Sequence, residues 1–190
     1  MYGRLVAHWV YGGLLAAILL LVLSPLVVRG WPTALAATFF AVPVYMLHQY
    51  EEHDDDRFRR FVNQHAGGGH DLLSLQAVFI INLSGVWGVN ALSLWLAATY
   101  QIGFGLIAAY LMLVNAAVHI AGAVVLGKYN PGLATSVLLF LPLGSYAIVA
   151  IDAAGGGTLA MHATGLLSVV AIHALIVMHV VRQRSGIFPS

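Results

Sequence analysis

The second apolar stretch of this chain closes on His48-Gln49-Tyr50-Glu51-Glu52-His53, with Asp54-Asp55-Asp56 directly after it. On a helix turning about 100° per residue, Glu51 lies roughly 60° to one side of His48 and Glu52 roughly 40° to the other. The three side chains therefore share a face. Imidazole nitrogen with carboxylate oxygen, and no cysteine anywhere in the chain, is a donor set for Zn²⁺, Fe²⁺ or Mn²⁺. Two carboxylates buried together repel each other unless a cation or a protonated histidine neutralises them. A divalent metal ion resolves that conflict, and zinc is expected ahead of iron or manganese.

Further residues fall at a matching depth. His48 precedes Arg57 by nine residues, His119 precedes Lys128 by nine, and His173 precedes Arg182 by nine. If those cations mark one membrane boundary, each imidazole sits about 13 Å inside it, and Asn82, counted from Asp71, about 16 Å inside. The expected ligands are His48, His119, His173 and one of Glu51 and Glu52. The other glutamate is then left as general base for a metal-activated water. Asn115, one turn from His119, is placed to orient that histidine or to bind substrate. Asn82 is a second outer partner, and Tyr129 with Lys128 stands over the mouth of the site. A dinuclear centre using both glutamates is the variant arrangement.

What positions these residues is a set of membrane helices. Of the 190 residues, 61% are hydrophobic and 8% charged, against roughly 25% charged in an average soluble domain. Such a chain has too little polar surface to dissolve itself in water. Stretches able to cross a ~30 Å hydrocarbon layer fall near 5–28, 34–61 (apolar as far as 53), 72–99, 103–127, 133–151 and 159–182. Turn and breaker residues separate them, such as Gly30-Trp31-Pro32 and Tyr129-Asn130-Pro131-Gly132.

The sequence thus predicts an all-α, polytopic bundle of six transmembrane helices forming a single domain over residues 1–190. Six spans put Arg4, Arg57, Arg59, Arg60, Lys128, Arg182 and Arg184 on one face and Arg29 alone on the other. By the positive-inside rule both termini are cytoplasmic, as in a multi-pass protein of a bacterial inner membrane. The glycine-rich segment 63–71 is expected to be flexible enough to fold over the site. A net charge of +1 offers no basic surface for nucleic acid.

Three strings in order carry a resemblance: His48-x-x-Glu51-Glu52, then Asn115-Ala116-Ala117-Val118-His119, then Tyr129-Asn130-Pro131-Gly132. They resemble the motifs of a family of integral membrane proteins named for its H-x-x-E-E signature, over most of the chain from the second helix to the last. The resemblance implies an α-helical membrane protein with an enzymatic or metal site, and it implies no substrate. His173 and Asn82 come from depth alone.

The expected function is a metal-dependent membrane hydrolase acting on a lipid-like or hydrophobic substrate from the cytoplasmic half of the bilayer. The alternatives are a metal-ion or proton transporter using the same cluster, a di-iron oxidoreductase, and an accessory subunit with a hydrogen-bonded polar core. A carrier predicts polar residues continuing to the far face.

Overall fold

The computed structural model describes residues 1–187, and all of their regular structure is helical. Tyr2–Val27 forms α1, Thr33–His53 α2, Arg57–His65 α3, Leu75–Thr99 α4, Ile102–Leu126 α5, Leu133–Ala153 α6 and Leu159–Ile187 α7. Among the described residues, α1, α4, α5, α6 and α7 are long and apolar enough to cross a membrane. α2 has the length, at 21 residues, but His48, Gln49, Glu51 and Glu52 lower its apolar character.

α2 and α5 form the centre. α2 packs against α1, α4, α5 and α6, while α5 adds α4, α6 and α7. Their contact is made largely by small residues, with Ala41 of α2 and Ala108 and Ala116 of α5 fully buried beside Tyr45, Leu111, Met112 and Phe140. In lipid, where apolar surface gains nothing by leaving the solvent, such small residues let backbones approach and dispersion contacts accumulate. The outward faces stay apolar. Leu19, Val22 and Leu26 of α1 and Val124 and Val125 of α5 are exposed, the arrangement a lipid solvent requires.

The second helix, expected to run on to 61, stops at His53. Asp55 and Asp56 adopt positive φ of 51° and 57°, a left-handed region that short polar residues tolerate and a helix cannot continue through. The chain turns there into α3, whose arginines pair with the same aspartates: Arg59 with Asp56 at 2.6 Å and Arg60 with Asp55 at 2.7 Å. The segment after α3 is tied down. Asn63, buried, accepts from the Leu72 and Leu73 amides at 3.0 Å each and donates to Asp71 at 2.7 Å.

α4 and α6 each contain a π-helical stretch, Ile81–Gly88 and Ser136–Phe140. A π turn admits an extra residue and shifts the register of side chains on the helix surface, and such stretches recur at functional sites. Here the first carries Asn82 and Trp87 towards α2.

Candidate metal centre

His48, Glu52 and His119 meet between α2 and α5, all buried, with one ligand atom from each lying within 4.8 Å of the others. His48 Nε2 is 3.6 Å from Glu52 Oε2, and His119 Nε2 is 3.5 Å from Glu52 Oε1. Both separations exceed an N–H···O hydrogen bond, which falls at 2.7–3.2 Å. Two donors bound to one zinc at about 2.0–2.1 Å and the tetrahedral angle stand roughly 3.4 Å apart.

Hydrogen bonds on the far side of each ring decide which nitrogen carries hydrogen. Asn130 donates through Nδ2 to the His119 carbonyl at 2.8 Å, which fixes its amide and leaves Oδ1 to accept from His119 Nδ1 at 2.7 Å. Thr135 gives its hydroxyl hydrogen to Glu51, so its oxygen accepts from His48 Nδ1 at 2.8 Å. Both neutral rings therefore hold hydrogen on Nδ1 and turn a bare Nε2 lone pair towards the Glu52 carboxylate. His48 Nε2 has no hydrogen-bond partner. Two lone pairs and a carboxylate converge, and one cation between them satisfies all three, whereas a proton on one ring satisfies a single contact. Outer partners of this kind set the tautomer of a metal-binding histidine. Replacing Asn130 by Leu should accordingly lower metal affinity about 10- to 100-fold, read by competition with a chelator. Unchanged affinity would dismiss the role given to Asn130.

The two glutamates part company. Glu51 turns away from the cluster and accepts from Tyr129, from the Thr135 hydroxyl, and from the Ala134 and Thr135 amides at 3.0 and 2.7 Å. It caps the N-terminus of α6, where free backbone N–H groups and the helix dipole favour an anion. Partial burial and the Glu51 carboxylate push the Tyr129 hydroxyl up to about 12, so it remains a hydrogen donor at neutral pH. The turn in front of α6 bears on both rings. Gly132 has φ of +97°, and a Cβ there would lie 2.6 Å from His119 Cε1 and 2.9 Å from His48 Cε1.

Around the cluster runs a further chain of hydrogen bonds. Trp87 donates to Gln49 Oε1, Gln49 Nε2 donates to Asn82 Oδ1 at 2.8 Å, and Asn82 Nδ2 donates to the Val78 carbonyl at 2.9 Å and reaches His53 Nε2 at 3.2 Å. Since indole can only donate, Trp87 fixes the direction of the chain as far as Asn82. His53 Nε2 also stands 3.1 Å from Glu52 Oε2.

Of the residues named from sequence, His48, Glu52 and His119 come together. Glu51, Tyr129 and Asn82 hold other groups. Asn115 and His173 line an adjoining cavity, and His173 Nδ1 donates to the Val169 carbonyl at 2.9 Å rather than joining the cluster. Thr135, Gln49, Trp87 and the side chain of Asn130 escape the sequence reading. Thr135 follows the Tyr129–Gly132 turn by three residues, and that nearness is the one signal in the sequence from which it could be found. The cavity, about 350 Å³, is bordered by Glu52 and His119 and walled by Phe58, Phe61, Val86, Val118, Ile176 and Val177. The Phe58 ring lies 5.6 Å from that of His53 and 6.0 Å from that of His119, so α3 lines one side of the cavity next to the cluster.

Helices and cluster together define a class, that of multi-pass helical membrane proteins with a buried His/Glu group able to take a metal ion. Within it, the chain belongs to the family described as Protein of unknown function with HXXEE motif, which matches residues 39–147. No curated protein and no solved structure matches the chain.

Proposed function

We propose that this protein is a metal-dependent membrane hydrolase acting on a hydrophobic or lipid-like substrate. In this reading it crosses the membrane six times, with α2 as the sixth span, and both termini and the segment 54–71 face the cytoplasm. One divalent ion is held by His48, Glu52 and His119. The observation that carries the proposal is the convergence of two Nε2 lone pairs and a buried carboxylate on the wall of an apolar chamber of about 350 Å³, a size in the range of small-molecule sites.

When bound, the ion supplies a Lewis acid and lowers the pKa of water. The protein's own groups do the rest. Asn130 and Thr135 keep the Nδ1 hydrogens in place. Glu51, fully engaged with α6, is not free to move a proton. That task falls to the Glu52 oxygen facing His53, the imidazole 3.1 Å away. Phe58, Phe61 and the α7 side chains exclude water and accept an apolar tail.

The packing beyond the cluster favours an enzyme over a carrier. One turn further along α2 and two turns further along α5 the interior is Tyr45, Leu111 and Met112, with Phe140 of α6 beside them, all buried, and Tyr45 spends its hydroxyl hydrogen on the Leu111 carbonyl at 2.7 Å. An ion leaving by that side meets a dry plug.

Metal analysis of protein purified without chelator tests the reading, with one equivalent of divalent metal expected. Thermal unfolding should rise on reloading, since a ligand at a hundredfold excess over its Kd stabilises the native state by about 2.7 kcal/mol. Chelation should abolish release of fatty acid from hydrophobic acyl substrates. A metal-free wild type that takes up none on reloading rejects the proposal.

A further inference from the structure

Two of the helices that wall the chamber, α4 and α7, both pack against α5 but form no extended seam with each other among the described residues. They approach at Gly85 and Ile172, where a Cβ on the glycine would touch the isoleucine side chain at 4.0 Å. One turn towards the end of the bundle that carries α3, Ile81 of α4 and Ile176 and Val177 of α7 line the chamber instead. The wall is open where they part. Val118 of α5 and Val177 of α7 both line the chamber, yet they are 56% and 60% exposed.

The surroundings at that level are hydrocarbon. Val177 lies five residues before Arg182 and Val118 ten before Lys128, about 8 and 15 Å inside the boundary those cations mark. The bilayer core holds no water, so a gap between helices there is filled by acyl chains. The chamber also selects by charge. No lysine or arginine lines it, and the Glu52 carboxylate borders it. The arginines of α3 are already paired, Arg57 with Asp54 at 3.4 Å, Arg59 with Asp56 at 2.6 Å and Arg60 with Asp55 at 2.7 Å. A phosphate head would enter beside a like charge, without the guanidinium or ammonium donors that bind such groups. It would also have to be drawn about 13 Å inwards to reach the cluster, and charge at that depth is costly.

Building on the hydrolase reading above, we propose that the gap between α4 and α7 is a lateral portal, through which an uncharged membrane lipid of the acylglycerol class passes from the leaflet into the chamber. Its acyl chain lies along Ile81, Val118 and Val177, and its neutral head reaches the His48–Glu52–His119 cluster without leaving a charge in hydrocarbon.

Photolabelling reads this entry without turnover. Metal-free full-length protein in phosphatidylcholine nanodiscs is irradiated with a monoacylglycerol carrying a diazirine in its chain, or with the lysophosphatidate of the same chain, and labelled residues are mapped by mass spectrometry. The monoacylglycerol should label Val86, Val118 and Ile176 at least fivefold more than Leu15, an exposed residue of α1 that reports the bulk leaflet. The lysophosphatidate should show no such enrichment. Val177→Trp narrows the gap and should cut the enrichment at least fivefold. Leu175→Trp, at an exposed position of the same helix outside the chamber lining, should leave it unchanged. Chamber labelling no greater than that of Leu15, equal enrichment by the lysophosphatidate, enrichment that survives Val177→Trp, or an equal loss in Leu175→Trp overturns the proposal. Metal uptake by the same protein on reloading reports on the hydrolase reading separately, so either reading can fail alone.

Discussion

Protein carrying Glu52→Gln should purify with its helices intact and its metal gone, while Glu51→Gln should keep an equivalent of metal bound more weakly. The two substitutions remove the same charge from neighbouring positions, so any difference between them comes from where the side chains point. Glu52 supplies the sole carboxylate of the three-residue group, and an amide in its place removes the negative charge that balances the ion. An affinity loss above a hundredfold is expected, beyond the roughly 10- to 100-fold range of outer partners. Glu51 acts at one remove, through Thr135 on His48 Nδ1, and its loss falls within that range. Its substitution also withdraws charge from the α6 N-terminus, which costs about 0.3–1 kcal/mol. Metal stoichiometry after dialysis against a weak chelator separates the two. Equal metal in both variants would show that Glu52 is not a ligand.

Gly132→Ala is the second large effect, and it comes from a residue that donates nothing. At φ of +97° an alanine is strained, by an amount on the order of 1–2 kcal/mol. The steric demand matters more. A methyl group 2.6 Å from His119 Cε1 and 2.9 Å from His48 Cε1 is well inside the 3.5–4.0 Å of a relaxed carbon contact, so both rings must withdraw by close to an ångström. Metal sites tolerate about 0.2 Å in their distances. The variant should retain its helical circular dichroism and lose bound metal. Full occupancy in Gly132→Ala would mean that the rings are not held where the turn presses on them.

Much of this arrangement was legible before any coordinates. The run of apolar stretches and their breakers located the helices, because lipid permits few other ways to satisfy a backbone. Pairing His48 with His119 followed from counting residues inward from a cation. That count measures height along a helix and says nothing of rotation about its axis, which is why His173, at the same height, lies on the chamber wall instead of in the cluster. The 100° increment placed Glu51 and Glu52 on either side of His48 with equal claim. Only the position of α6, whose first residues lie more than eighty positions further along the chain, assigns one inward and the other to a helix terminus. In the sequence Asn130 is one residue of the Tyr129–Gly132 breaker, and its side chain is the more consequential part. The break at Asp54–Asp56 was hidden because aspartate is an ordinary residue near a helix end, and a left-handed pair of them is a tertiary outcome, held by Arg59 and Arg60.

His48, Glu52 and His119, with Asn130 and Thr135, fall within residues 39–147, whereas His173, Ile176 and Val177 come from α7, beyond that stretch. The molecule thus has a fixed hearth and a separable screen. Changes of side-chain volume along α7 can lengthen, shorten or bend the space for an apolar tail while the imidazoles and the carboxylate stay where α2, α5 and the Gly132 turn set them. On the proposed reading, a lineage could exchange one hydrophobic substrate for another by remodelling a single helix, without rebuilding the cluster it screens.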